Sequence, residues 1–488
     1  MNTPLRRLST VVTVMFLALM LSTTWVQFVQ APQLNNDQRN VRTLYREYGT
    51  FRGPIVAGGE SVATSTPVDD SFGYQRAYAD GPLYAHITGH YSVVFGRTGI
   101  ERWFNTELNG TADSLFYERL QDLVTGRQTR GASVELTIDP AVQQAAWDAL
   151  GDQQGAVVAL DPTTGAILAM VSKPSYDPNV LASHDLSAVR AAWDQLLADP
   201  GDPMVNRAIA GDTYPPGSTF KLITAAAALE SGMTADTPVP APRELPLPQT
   251  STVLHNFGGS ACASTGTTTL ADALRISCNT AFAQIGLDLG ADELREQAEA
   301  FGFDSPLNVP MNVTESRFPA DPDAPQTALS AIGQYEVRVT PLQMAMVSAA
   351  IGNGGVQMAP FLVQSVRSQD LTVVEETQPG ELAEPVSRST ADQLREMMIG
   401  VVASGTGRAA QIAGVTVAGK TGTAQTTDDV PPHAWFTGFA PAGTGETPRV
   451  AVAVVVEHGG SMGNEATGGA VAAPIARAVI EAALARTP

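Results

Sequence analysis

The chain has 488 residues, 44% of them apolar and 16% charged, a composition that excludes a mainly disordered protein. At roughly 100–200 residues per domain, this length predicts two to four units with sizeable cores. It carries 29 basic against 49 acidic residues, a net charge of -20, which argues against nucleic acid as a partner because phosphate binding needs a basic footprint.

Residues 1–7 form a short tip ending in Arg6 and Arg7. An uncharged run of 22 residues follows at 8–29, long enough to span a bilayer at about 20 residues per helix. The two arginines place the tip in the cytoplasm and everything after residue 29 outside. The alternative is a cleaved signal peptide. The run is longer than a signal core, and Gln30-Ala31-Pro32-Gln33 is a poor cleavage site, so residues 1–34 are read as an uncleaved anchor. Residues 35–130 are turn-rich, with Arg52-Gly53-Pro54-Ile55, Asp80-Gly81-Pro82 and Gly96-Arg97-Thr98-Gly99, a strand-like patch at 92–95 and a helical stretch at 112–124. They predict a small α+β pedestal.

The pattern changes near Gly131. Residues 133–139 read as a strand, and 140–150 as a helix with Pro140 in its first turn. Two apolar runs at 155–160 and 166–171, joined by Asp161-Pro162-Thr163-Thr164-Gly165, read as a hairpin. Ala-rich helical stretches follow at 220–229, 269–274, 280–289 and 341–351. Strand patterns return at 415–418, 434–439 and 449–457, and a helix at 470–485 comes last. Residues 131–488 are therefore expected to form an α+β domain with an antiparallel sheet flanked by helices.

Lysine is scarce: the chain has 26 arginines and only Lys173, Lys221 and Lys420. Lysine, unlike arginine, can lose its proton when desolvated and act as a base. Lys221 lies in Tyr214-Pro215-Pro216-Gly217-Ser218-Thr219-Phe220-Lys221, with a helix expected to start at or near Ser218. Ser218 and Lys221, at i and i+3, then share one helix face, so the amine can reach the hydroxyl and activate it. Lys420 opens Lys420-Thr421-Gly422-Thr423, expected at the end of a strand. Its charge and the hydroxyls of Thr421 and Thr423 suit an anionic substrate group, and Gly422 permits close approach. Between them, Ser277-Cys278-Asn279 falls in a break between two helical stretches, adding a hydroxyl and an amide. Each motif alone is weak, since Ser-x-Asn usually caps a helix or makes a turn. Two of three lysines falling inside three ordered motifs is a strong signal. For metals the signal is poor. Two cysteines cannot build a multi-cysteine zinc site, and His86 and His90 lack the Glu that a metalloprotease helix needs.

Ser-x-x-Lys, Ser-x-Asn and Lys-Thr-Gly in this order resemble the penicillin-recognising serine transferases and hydrolases. The resemblance extends over nearly the whole chain after the anchor and is to the class B penicillin-binding proteins. Arg52-Gly53-Pro54-Ile55 is similar to their R-G-x-I signature, although Ile55-Val56-Ala57-Gly58-Gly59 lacks the usual Asp-Arg. Gly99-Ile100-Glu101 with Leu108-Asn109-Gly110, Leu136-Thr137-Ile138-Asp139, Gly405-Thr406-Gly407 and Trp435-Phe436-Thr437-Gly438 also match, as does the segment holding Lys173, read as structural. The short pedestal and Lys-poor composition are most similar to the actinobacterial members. No stretch is left for a glycosyltransferase domain.

The resemblance implies a peptidoglycan D,D-transpeptidase that cross-links stem peptides through an acyl-serine intermediate and is inhibited by β-lactams. It implies Ser218 as nucleophile, Lys221 as base and Ser277 as proton relay. Asn279, Lys420, Thr421, Gly422 and Thr423 would bind substrate, and the backbone N–H groups of Ser218 and Thr423 would form the oxyanion hole. No metal or organic cofactor is implied. The partners it implies are stem peptides and, at the membrane, a SEDS-type glycan polymerase with divisome or elongasome proteins. Two alternatives stand beside it: a D,D-carboxypeptidase or serine β-lactamase on the same site, and a β-lactam sensor or non-catalytic divisome scaffold. Cys262 and Cys278 are 16 positions apart, one of them inside the Ser-x-Asn motif, and outside the membrane they are free to oxidise. They are expected to form a disulfide, with two separate buried thiols as the alternative.

Overall fold

The computed structural model describes residues 2–30, 45, 47–126, 130–425 and 430–486. Residues Asn2–Thr24 form an α-helix that continues through a wider turn to Val29. The helical stretch Thr3–Val29 has 27 residues, none of its apolar window buried, and is long and apolar enough to cross a membrane.

The first sheet is mixed and has six strands. Its order is Val373–Glu376, Val363–Arg367, Ser133–Leu136, Ile55–Ala57, Glu60–Pro67 and Tyr74–Tyr78. Ile55 pairs with Val134 in the one parallel ladder, so strands from both sides of residue 131 share this sheet. The patch expected as a strand at 92–95 is mostly turn. Only Tyr91–Ser92 pairs, with Gly96–Arg97. At the edge strand Tyr74–Tyr78, three separate sequence stretches meet in one buried ion cluster. Glu101 Oε2 accepts from Arg52 Nε at 2.5 Å and Glu101 Oε1 from Arg76 Nε at 2.6 Å. Arg52 Nη1 also donates to the side chains of Asn105 and Asn109. Burial pushes the Glu101 carboxyl up, but the two guanidiniums outweigh it and hold it below the ordinary carboxylate range.

The second sheet is fully antiparallel, in the order Ala418–Ala424, His433–Ala440, Val450–Val456, Gly155–Leu160 and Ile167–Lys173. Its central strands are continuous apolar runs rather than alternating ones, because both faces are covered. Ala451, Ala453 and Val455 belong to one core, and Val450, Val452, Val454 and Val456 to the other. Helix Pro341–Gly352 packs on the first face and is buried nearly all round, as its uniformly apolar sequence requires. Helices Pro140–Leu150 and Ala473–Leu484 cover the second face. Asp139 caps the first of these two, its carboxylate accepting from Ala141 N and Val142 N.

One expected strand is displaced. Residues 415–417 lie outside the sheet, and the strand is Ala418–Ala424, so Lys420-Thr421-Gly422-Thr423 sits in a strand interior rather than at its end. Polar Lys, Thr and Gly carry no apolar alternation. The strand is held instead by pairing along its length with the next one, from Ala418↔Phe439 to Ala424↔His433. Lys173 donates to Trp147 O and Gly151 O and lies over the Trp147 ring, tying the first hairpin to helix Pro140–Leu150.

Candidate active site

The turn that carries Ser218 is docked on the edge strand of the antiparallel sheet. Gly217 has φ +52, a left-handed conformation that disfavours any residue with a Cβ, and its N–H donates to Gly333 O at 2.9 Å. Pro215 O accepts from Trp435 Nε1 at 3.1 Å. A Cβ on Gly422 would sit 2.9 Å from Pro216 O and 3.0 Å from Trp435 Cβ, so this glycine lets the strand lie tight against the turn. Residues Gly217–Phe220 form a 3-10 turn and the α-helix begins at Lys221, three residues later than the earliest start expected from the sequence. In a 3-10 turn, positions i and i+3 eclipse, so this start keeps Ser218 and Lys221 on the same side of the element.

Lys221 is completely buried. Its Nζ donates to Ser277 O at 2.8 Å and Asn279 Oδ1 at 2.7 Å, and lies 3.4 Å from Ser277 Oγ. Ser218 is half-buried at the floor of the cleft, and among the described residues its Oγ makes no hydrogen bond. The spacing puts the Lys221 amine within reach of Ser218, and among the described residues that amine bonds Ser277 and Asn279 instead. Ser277 occupies the break between helices Leu270–Arg275 and Asn279–Leu289, with φ +62, a strained conformation for a non-glycine residue. Lys420 is equally buried and donates to Ser277 Oγ at 2.9 Å and Thr421 O at 2.8 Å. The hydroxyl of Ser277 thus serves both lysines.

Burial, and then the charge of Lys420, drive the Lys221 amine well below the ordinary lysine range. Burial alone pushes Lys420 down to about 7. Two ammonium groups sharing one hydroxyl between buried side chains oppose each other's charge, so protonation of one disfavours protonation of the other.

The cleft has a volume of about 900 Å³, within the range of a small-molecule or peptide site. Ser218, Ser277, Asn279, Thr421, Gly422 and Thr423 all line it. Several contacts were not legible in the motifs. Thr406 Oγ1 and Thr421 Oγ1 are 2.6 Å apart, which brings Gly405-Thr406-Gly407 to the site. Gly468 N approaches Thr423 Oγ1 at 3.4 Å, and a Cβ there would lie 2.1 Å from Trp435 O. Asn256 also reaches the Ser-x-Asn segment, from a loop whose sequence shows no pattern. Cys262 and Cys278 form a disulfide, with Cα atoms 5.9 Å apart, joining that loop to the motif. Among the described residues no group of three or more His, Cys, Asp or Glu is placed to hold a metal ion.

A family model described as the penicillin binding protein transpeptidase domain matches residues 155–481. A second, the penicillin binding protein A dimerisation domain, matches residues 52–134. The peptidoglycan D,D-transpeptidase PbpA of Mycolicibacterium smegmatis is 47% identical over 493 residues, covering 99% of each chain. Its namesake from Mycobacterium tuberculosis is 46% identical over 497 residues, 100% of each chain. The solved structure of penicillin-binding protein A from M. tuberculosis as a ceftriaxone acyl-enzyme complex superposes with a TM-score of 0.87 at 46% identity, covering 90% of this chain and 100% of that one.

Proposed function

Since this chain belongs to the penicillin-binding-protein transpeptidase family, we propose that Ser218 is its acylated nucleophile, Lys221 the base and Ser277 the proton relay. The protein is a serine-type peptidoglycan D,D-transpeptidase, and β-lactams acylate it as substrate mimics. What supports the residue assignment most is the arrangement around Ser277, where two buried lysines from separate motifs share one hydroxyl beside Ser218.

In this reading Ser218 Oγ attacks the carbonyl carbon of the D-Ala–D-Ala bond while its proton passes to the neutral amine of Lys221. The developing oxyanion is held by the backbone N–H groups of Ser218 and Thr423, each worth about 3–4 kcal/mol. The C–N bond then breaks, and the departing D-Ala amine takes a proton through Ser277. Thr421 and Thr423 hold the substrate's terminal carboxylate, and that anion raises the Lys420 pKa and keeps it charged. Gly422 keeps the strand close enough to form this wall. Asn279 orients the peptide and, through Oδ1, Lys221. An amine from a neighbouring stem peptide attacks the acyl-enzyme, forms the cross-link and returns the proton to Ser218.

The decisive assay gives full-length detergent-solubilised protein a donor peptide ending in D-Ala–D-Ala and an acceptor amine. D-Ala release matched by cross-linked product is expected. Release with hydrolysed donor alone would favour the carboxypeptidase alternative.

The same proposal places residues 1–34 as an anchor with the cleft on the outer side of the membrane, supported by the helix Thr3–Val29 and by Arg6 and Arg7. A SEDS-type glycan polymerase of the divisome or elongasome is the partner this placement suits. With the cytoplasmic membrane intact and only the outer envelope opened, added protease should degrade residues 45–488, whereas a cytoplasmic domain would stay protected. Degradation only after the membrane itself is dissolved would contradict the orientation.

A further inference from the structure

We propose that Asn256 is a positioning residue of the acyl-transfer site, capping from a separate loop the helix that presents Asn279 to Lys221. The inference rests on the roles given above to Ser218, Lys221 and Asn279.

The first N–H groups of a helix have no partner within it, and a side-chain oxygen at the cap position commonly satisfies them. In helix Asn279–Leu289 the cap position is Cys278, which makes no side-chain cap and whose sulfur is bonded to Cys262. The acceptor comes from 22 residues upstream. Asn256 Oδ1 lies 3.0 Å from Asn279 N and 3.0 Å from Thr280 N. Asn256 is itself only 8% exposed, and its Nδ2 donates to Ser260 O at 3.2 Å and Pro242 O at 3.4 Å. The adjoining carbonyl, His255 O, accepts from Asn279 Nδ2 at 3.2 Å. Asn279 is thus held twice by this loop, at its backbone N–H and at its amide nitrogen. That fixes the amide plane and leaves Oδ1 aimed at Lys221 Nζ, 2.7 Å away.

A loop contact that only stabilised the helix would change melting and leave the chemistry of Lys221 alone. A positioning contact must change the chemistry too. The charge that acts on Lys221 among the described residues is that of Lys420, across Ser277, while the exposed His255 side chain at the cleft faces Glu244. A carboxylate at position 256 would add a buried negative charge one hydrogen bond from Asn279 and favour protonated Lys221.

The test compares the parent full-length protein with Asn256→Ala and Asn256→Asp, measuring the second-order rate of acylation by fluorescent penicillin across pH, with melting recorded in parallel. The Ala variant is expected to acylate up to about 100-fold more slowly, the loss that a misplacement near 1 Å causes. The Asp variant keeps the acceptor for Asn279 N and Thr280 N but loses both donor contacts to Ser260 O and Pro242 O, so it should recover only part of the rate at high pH, with the acid limb of its profile displaced upward. Equal rates in the parent and Ala variants would overturn the inference, as would an Asp variant with neither recovered rate nor displaced limb. If Asn256→Ala does not fold, the Asp limb decides alone, and an unmoved limb overturns it. A parent protein that is not acylated at Ser218 would overturn the underlying assignment as well.

Discussion

Lys420 Nζ and Ser277 Oγ lie 2.9 Å apart, and the same hydroxyl is 3.4 Å from Lys221 Nζ. A serine between two buried amines links the state of one to the charge of the other. Protonated Lys420 disfavours a second ammonium nearby, so it lowers the Lys221 pKa beyond what burial does.

A shift in the pH profile of acylation follows. Acylation needs neutral Lys221, so its acid limb should lie well below the ordinary lysine range. Lys420→Gln removes the neighbouring positive charge and raises the Lys221 pKa, so the limb should move to higher pH. Acylation rates from pH 5 to 10 check this, and a limb that moves down or stays fixed would refute the coupling.

The two lysines should also respond differently to arginine. Lys221→Arg keeps the charge but cannot deprotonate, so acylation should fall by about 10²–10⁴-fold, the typical worth of general acid–base catalysis. Lys420→Arg keeps an electrostatic role and should lose less. Equal losses would erase the division between base and binding group.

The Cys262–Cys278 bridge closes a loop with a sequence separation of 16, worth about 3 kcal/mol in the loop-entropy account. Thiol titration of unfolded, unreduced protein should find close to no free thiols at monomeric mass. Reduction should slow acylation without abolishing it, because the bridge tethers the loop of Asn256 but neither sulfur takes part in the reaction. Two titratable thiols per chain, or an unchanged rate after reduction, would contradict this.

Glu101→Ala would leave the guanidiniums of Arg52 and Arg76 buried without their shared carboxylate. Breaking a buried pair in this way typically costs about 3–5 kcal/mol. Denaturant unfolding measures it, and the fraction still folded should acylate at the parent rate. A loss below about 1 kcal/mol, in the range of exposed pairs, would mean the cluster is solvated.

The chemistry was more legible than the backbone that carries it. Lysine scarcity and motif order pointed to Lys221, Ser277 and Lys420, which the fold brings to one hydroxyl across 56 and 143 residues of chain. The antiparallel sheet was readable because 155–160 and 450–456 are unbroken apolar runs. Its edge strand was misplaced because Ala418–Ala424 owes its form to pairing with Phe439 through His433, a tertiary effect that local pattern does not carry. Arg52, Glu101 and Asn109 stood out individually, but nothing local says that they touch. Asn256 was missed for a related reason. It caps the helix from 22 residues before the usual cap position, and that position, Cys278, holds no oxygen in its side chain.

Full-length protein incubated with fluorescent penicillin, digested and mapped by peptide mass tests the central claim most directly. The adduct is expected on the peptide containing Ser218 and nowhere else, and Ser218→Ala should fold normally and take no label. An adduct on another residue, or continued labelling of a folded Ser218→Ala variant, would contradict the assignment of the nucleophile.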